Sequence, residues 1–189
     1  MLYHASQTPD LKELIPHVSN HGKPLVYFSE KRENTLVYLC NAVEKCCLEN
    51  GFKHSGIYEK WASYGFNSDG RLMLDEYYPN ATYETYKGVG GFIYSVSEAS
   101  GFTDLEGIPF AKTADHAVKT AGCEFVSDAY KALCEAEKKG LIILAHYEDN
   151  STKKLEWIRE TILKEYRDAV NKPDYRFFLE KKFGNIINK

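Results

Sequence analysis

The chain reads as an α+β protein. Three features predict that class. Short apolar runs of strand length recur up to about residue 150 with few helical patterns between them. One extended helical pattern follows the run Pro24-Leu25-Val26-Tyr27-Phe28-Ser29. Beyond Asn150 the composition shifts to densely charged helical spacing, so residues 1–150 are expected to form one domain and residues 151–189 a C-terminal helical extension.

Met1 to Ala5 alternates as a short strand, with Leu2 and His4 on one face. Thr8-Pro9-Asp10 turns the chain. Leu11, Leu14 and Ile15 then have helical spacing for one turn, until Pro16 stops it. His17 to Lys23, with Asn20 and Gly22, is expected as loop. The run after Pro24 reads as a buried strand, with Ser29 as N-cap of a helix from about Glu30 to Glu49. Leu36, Val37, Cys40, Val43 and Cys47 supply its apolar stripe, and Asn50-Gly51 caps it. Thr35 and Tyr38, three apart, share a face offset from that stripe. Tyr27 and Tyr38 are therefore either core aromatics or the two walls of a slot for a flat ring.

Lys53 to Lys87 carries Tyr58, Trp61, Tyr64, Phe66, Tyr77, Tyr78, Tyr83 and Tyr86, and packing over a sheet is the commoner use of such a segment. Asn67-Ser68-Asp69-Gly70 predicts a turn leading to a strand at Leu72–Leu74. Gly88-Val89-Gly90-Gly91 lacks the strand-to-helix context of a dinucleotide fingerprint and instead turns into a central strand at Phe92–Val96. Ser100 to Lys119 reads as irregular, and Glu124-Phe125-Val126 as a short strand. Ser127-Asp128 caps a helix stopped at Gly140, and Leu141–Tyr147 is a further buried strand. Ser151 or Thr152 caps a helix broken by Pro173, and a last helix runs from about Tyr175 to Phe183.

At 189 residues and 43% hydrophobic content the chain can bury one substantial core. A net charge of −3 with interspersed signs offers no footprint for nucleic acid and no membrane-binding surface. Without a basic leader pattern or a long apolar run, the expectation is a soluble, cytoplasmic protein. Five cysteines, with Cys46 and Cys47 adjacent, read as reduced packing residues, and no spacing suggests a zinc site.

Three segments carry a resemblance when taken in order. Leu2-Tyr3-His4-Ala5-Ser6 resembles the first-strand motif of ADP-ribosyltransferases of the diphtheria-toxin and poly(ADP-ribose) polymerase type. Val26-Tyr27-Phe28-Ser29 is similar to their second motif. Thr35 and Tyr38 stand eight and eleven positions after Tyr27, where that family has a serine or similar residue and a second tyrosine. Glu124-Phe125-Val126 resembles the third motif, after an intervening strand at Phe92–Val96. The likeness spans residues 1–127 and rests on a dozen or so positions; the double spacing from Tyr27 is its most specific part. Ala5 stands where the family has glycine, and Gly122 removes the Glu-x-Glu pattern of arginine-modifying relatives.

The resemblance implies a split pair of small, mostly antiparallel sheets with flanking helices, and transfer of ADP-ribose from NAD with release of nicotinamide and no metal. Tyr27 and Tyr38 would hold the nicotinamide ring, His4 the adenosine-side ribose and Thr35 the carboxamide. Ala5, Ser6 and Phe28 complete the binding strands. Glu124 would bind the nicotinamide ribose and stabilise positive charge on it, with Glu98 and Glu106 as alternative carboxylates. The acceptor is unspecified, a protein being one candidate. Two other readings keep the fold. One is a non-catalytic nucleotide-sensing or protein-interaction domain; the other is an RNA 2′-phosphotransferase-like enzyme, which the acidic charge disfavours.

Overall fold

The computed structural model describes residues 1–18, 22–54, 61–97 and 101–188. Asn20, Tyr58, Glu98 and Ser100 lie outside them. The strands are β1 Leu2–Ser6, β2 Glu13–Leu14, β3 His17–Val18, β4 Pro24–Ser29, β5 Tyr64–Phe66, β6 Leu72–Asp75, β7 Gly91–Val96, β8 Thr103–Asp104, β9 Ala111–Ala114, β10 Val118–Lys119, β11 Gly122–Val126 and β12 Ile143–Ala145. The α-helices are α1 Ala42–Glu49, α2 Ala81–Tyr86, α3 Ala129–Lys138, α4 Thr152–Asp168 and α5 Pro173–Ile187. The α+β class is as the sequence predicts.

Seven strands form one antiparallel sheet in the order β11-β7-β1-β4-β9-β8, with β3 beside β4. Its two halves share a core but are joined by a very short ladder. β1 pairs with β7 along its whole length, whereas β1 and β4 pair only at Tyr3 opposite Ser29. Continued pairing would set Tyr27 opposite Ala5. The ladder ends there, while along its other edge β4 pairs with β9 from Val26 to Ser29. A second sheet, β12-β6-β5, has one parallel and one antiparallel pair, and β10-β2 is a two-stranded ribbon.

Alternation along β1 and β4 gives the large sheet two cores. Leu2, Val26, Phe28, Tyr94 and Val96 bury one face with Ala114 and Val118. Ala5, Ile93 and Val126 face the other, against the helices and β6. Ile158, Ile162, Phe178, Leu179 and Phe183 of α4 and α5 belong to that same cluster, so the stretch after Asn150 packs into the core of the domain. Trp61 joins it, with Tyr77, Tyr78, Phe178 and Phe183 around its ring at centroid distances of 5.4–6.1 Å. Most of the aromatic-rich segment is thus packing.

Several elements differ from the sequence reading. The helix expected over Glu30–Glu49 is two pieces, a 3-10 helix at Arg32–Tyr38 and then α1. Ser29 is no N-cap, since its Oγ accepts from the Lys31 amide in a turn. The helical turn expected around Leu11–Ile15 is strand β2, paired with β10. One turn is too short to nucleate alone, and the ladder satisfies the backbone better. His17–Val18 is likewise strand rather than loop, and β8 and β9 lie in the segment expected to be irregular. Helix α2 had no clear apolar period to betray it. Pro173 opens α5 at its first turn, where a missing N–H costs nothing, and α5 continues past Gly184 with a kink at Phe183.

Caps and turns elsewhere match the expectation. Asp128 and Ser151 accept from the amides of Lys131 and Lys154, and Gly51 and Gly140 take positive φ at helix ends. Gly91 starts β7 where a Cβ would come within 2.6 Å of Leu39 Cδ2 and 3.1 Å of the Ser6 carbonyl. Among the described residues no helix is long and apolar enough to cross a membrane.

Candidate functional site

The site lies where β1 and β4 part. His4 Nδ1 is 2.8 Å from the Tyr27 carbonyl, occupying the acceptor that a continuing ladder would have used. A carbonyl only accepts, so Nδ1 must carry the hydrogen, and Nε2 is then the acceptor of the neutral ring. The ring also packs 6.0 Å from Phe28, which meets Phe102 edge-on at 5.3 Å. Phe28 is thus a residue of the core it shares with Leu2 and Val26, while Ser6 Oγ accepts from the Thr8 amide.

Strand register fixes which side chains share a face. Glu124 stands opposite Ile93, and Ile93 opposite Ala5, so the three form one row across β11, β7 and β1. With strands spaced about 4.8 Å, Glu124 and Ala5 are roughly 10 Å apart along that row. Tyr27, two residues from Ser29 and hence in phase with Tyr3 and Ala5, points to the same face. His4 belongs to the alternate row with Tyr94 and Cys123, so it approaches from the other side of the sheet.

Tyr38 ends the 3-10 helix over this face. Its phenol accepts a 2.9 Å hydrogen bond from the Tyr64 hydroxyl, and the rings meet edge-on at 5.8 Å. Burial of the phenol, then the neighbouring Tyr64 and Tyr27, pushes its pKa far above the ordinary tyrosine value. The side chain stays protonated and remains 39% exposed. In the sequence Tyr64 stands out only as one of many aromatics between Lys53 and Lys87. Thr35 does not share the exposure of Tyr38. It is 2% exposed, and its hydroxyl donates to the Arg32 carbonyl at 2.7 Å.

Glu124 is gripped by a residue that sequence reasoning missed. Arg32 Nε donates to Oε2 at 2.8 Å and Nη2 to Oε1 at 2.5 Å, a two-point contact across 92 residues. The hydrogen bonds from Arg32 outweigh partial burial and hold the Glu124 pKa below the ordinary carboxylate value, so the group is ionised at neutral pH. Arg32 is raised in turn, first by the same bond to Glu124. No local sequence signal could have found this pair, because only the fold brings β11 beside the 3-10 helix. Glu106 lies in the exposed turn between β8 and β9, away from the row that carries Glu124.

Comparison with protein-family models, with curated proteins and with solved structures gives no match. Two cavities, of about 280 Å³ beside α1, α2 and α5 and about 400 Å³ beside Phe102 and His116, include none of Tyr27, Tyr38, Arg32 and Glu124 in their linings. At the candidate site itself, the Arg32–Glu124 pair and the Tyr38–Tyr64 hydrogen bond are made directly between the side chains. What the arrangement offers is a pair of phenol rings, an ionised carboxylate on the same sheet face, and an imidazole acceptor behind it.

Proposed function

We propose that the chain is an ADP-ribosyltransferase-type enzyme that takes NAD as substrate. The single observation that carries the reading is the parting of β1 and β4 after one residue pair, with Tyr27, Tyr38 and Glu124 gathered on the face that also bears Ala5. The resemblance named those residues, and the strand register that sets Tyr27 and Glu124 on one face supports the reading. The split pair of sheets characteristic of such enzymes is part of the same proposal.

The chemistry follows from the groups present. Tyr27 and Tyr38 supply aromatic faces for the nicotinamide ring, which enters beside Tyr38, the more exposed end of the 3-10 helix. His4 Nε2 accepts from a ribose hydroxyl on the adenosine side. The bond from ribose C1′ to the pyridinium nitrogen breaks with its electron pair going to the ring, so nicotinamide leaves neutral. Positive charge develops on the ribose, and ionised Glu124 opposes it while accepting from a ribose hydroxyl. The acceptor nucleophile bonds to C1′, and its proton passes to Glu124 or to water. Thr35, bonded back into its own helix, serves the shape of the segment instead of meeting the carboxamide.

A nucleotide-sensing module without turnover is the second reading. Ala5 favours it, because its methyl is packed in the core where a glycine would leave open backbone. Incubation with NAD labelled in the adenylate half, with and without cell extract, separates the two. Transfer of label to an acceptor, with free nicotinamide, is the expected result. Binding without either product supports the sensing module, and no binding at all refutes both.

A further inference from the structure

The Arg32–Glu124 contact is at odds with the task proposed for Glu124. A guanidinium within hydrogen-bond distance of both carboxylate oxygens cancels the negative charge that an oxocarbenium-like ribose needs. We propose that Arg32 is an exchangeable latch: it neutralises Glu124 in the ligand-free protein, and the diphosphate of the bound dinucleotide draws it away, releasing Glu124 to the ribose. The inference rests on the NAD reading above and adds to it a diphosphate-binding residue.

Four observations carry it. The pair is partly exposed, 33% for the Arg32 side chain and 52% for Glu124, so water already screens it and the two ends separate at small cost. A diphosphate presents the same two-point acceptor geometry as a carboxylate with more charge, which a guanidinium fork matches. Among the residues gathered at the site, Arg32 is the permanent cation. The segment that carries it also has something to gain by moving. A seven-residue 3-10 helix is longer than such helices usually run, and its N-cap, Lys31, makes no side-chain cap. Two residues past Arg32, Asn34 is 5% exposed, and both its side-chain amide atoms are buried with no hydrogen-bond partner among the described residues.

The latch separates ligands that carry the diphosphate from those that do not. Calorimetric titration with ADP-ribose and with nicotinamide, on the wild type, Arg32→Gln, Arg32→Lys and Glu124→Gln, reads the difference. Arg32→Gln is expected to weaken ADP-ribose about tenfold, the scale of one charge-assisted contact, and to leave nicotinamide within about twofold. Arg32→Lys keeps a cation and recovers part of the loss, which shows that the segment still folds. Glu124→Gln frees Arg32 and is expected to tighten ADP-ribose about threefold, a gain that disappears in the double variant. Unchanged ADP-ribose affinity in Arg32→Gln, with wild-type NAD binding intact, overturns the latch and leaves the functional reading standing. Weakening by Glu124→Gln equal to that of Arg32→Gln also overturns it, because the pair would then be a fixed support. A wild type that binds neither NAD nor ADP-ribose overturns both.

Discussion

Replacing Tyr38 with alanine tests whether that ring is a binding wall or a core filler. The side chain makes an edge-on contact with Tyr64 at 5.8 Å and accepts one hydrogen bond of 2.9 Å. The ring contact is worth about 0.5–1.5 kcal/mol beyond area, and the hydrogen bond about the same. With 39% of the residue exposed, lost burial adds little. Tyr38→Ala should therefore lower folding stability by roughly 1–3 kcal/mol, read by urea denaturation. Loss of one stacking face, about 1 kcal/mol, should weaken nicotinamide and NAD roughly fivefold, read by calorimetry. Tyr38→Phe keeps the ring, so it should cost about 1 kcal/mol of stability or less and leave affinity within about twofold. Because the Tyr38 phenol stays protonated well above neutrality, ionisation does not blur the comparison. A Tyr38→Ala variant that loses about 3–5 kcal/mol, as a sealed core aromatic does, while binding nicotinamide as the wild type does would refute the reasoning.

Other substitutions follow from the same geometry. Thr35→Val removes a buried hydroxyl bonded to the Arg32 carbonyl, and should cost about 1 kcal/mol of stability while leaving nicotinamide affinity unchanged; a large affinity loss would return Thr35 to the carboxamide. Glu76 is buried and accepts from the amides of Thr82 and Tyr147 at 2.9 and 3.3 Å, so Glu76→Ala should lower stability by about 3 kcal/mol in urea titrations, against little change if water replaces the carboxylate. For the Arg32–Glu124 pair, the folded carboxyl titrates below its unfolded value. Its contribution is fully present above the usual carboxylate range and is lost as pH falls through the lower folded pKa. For a partly exposed pair that is about 0.2–1 kcal/mol, so Arg32→Gln should be slightly less stable than wild type at pH 7 and equal to it in strong acid.

The strands that carry the site were legible because each is a short apolar or aromatic run with its own punctuation. Pro24 opens β4, the glycines before Phe92 open β7, and Ser127-Asp128 close β11. The segment between Tyr27 and Tyr38 reads as α-helix in the sequence because a 3-10 helix gives a similar apolar spacing over so short a run. What the chain hid depends on distant partners. The break at Leu39–Asn41 follows from packing, since Leu39 is fully buried against the start of β7 at Gly91. Arg32 became part of the site only when β11 arrived beside it, and Tyr64 only when β5 set its phenol against Tyr38. The environment of Thr35 was equally hidden, because a buried hydroxyl takes the nearest backbone carbonyl and only the fold shows that it is buried. The short strands β8, β9 and β10 have too few residues for a period and exist by pairing alone.

The central claim is that Glu124 serves the reacting ribose of NAD. Glu124→Gln keeps the shape and hydrogen-bonding capacity of the side chain and removes its charge. Nicotinamide release and NAD affinity should be measured together in that variant and in the wild type. The account predicts NAD binding no weaker than wild type, with turnover, by transfer or slow hydrolysis, down by ~10²-fold or more, the scale of losing one preorganised electrostatic group. Wild-type turnover in the variant would contradict it, and equal loss of affinity and turnover would show a damaged pocket instead of a missing charge.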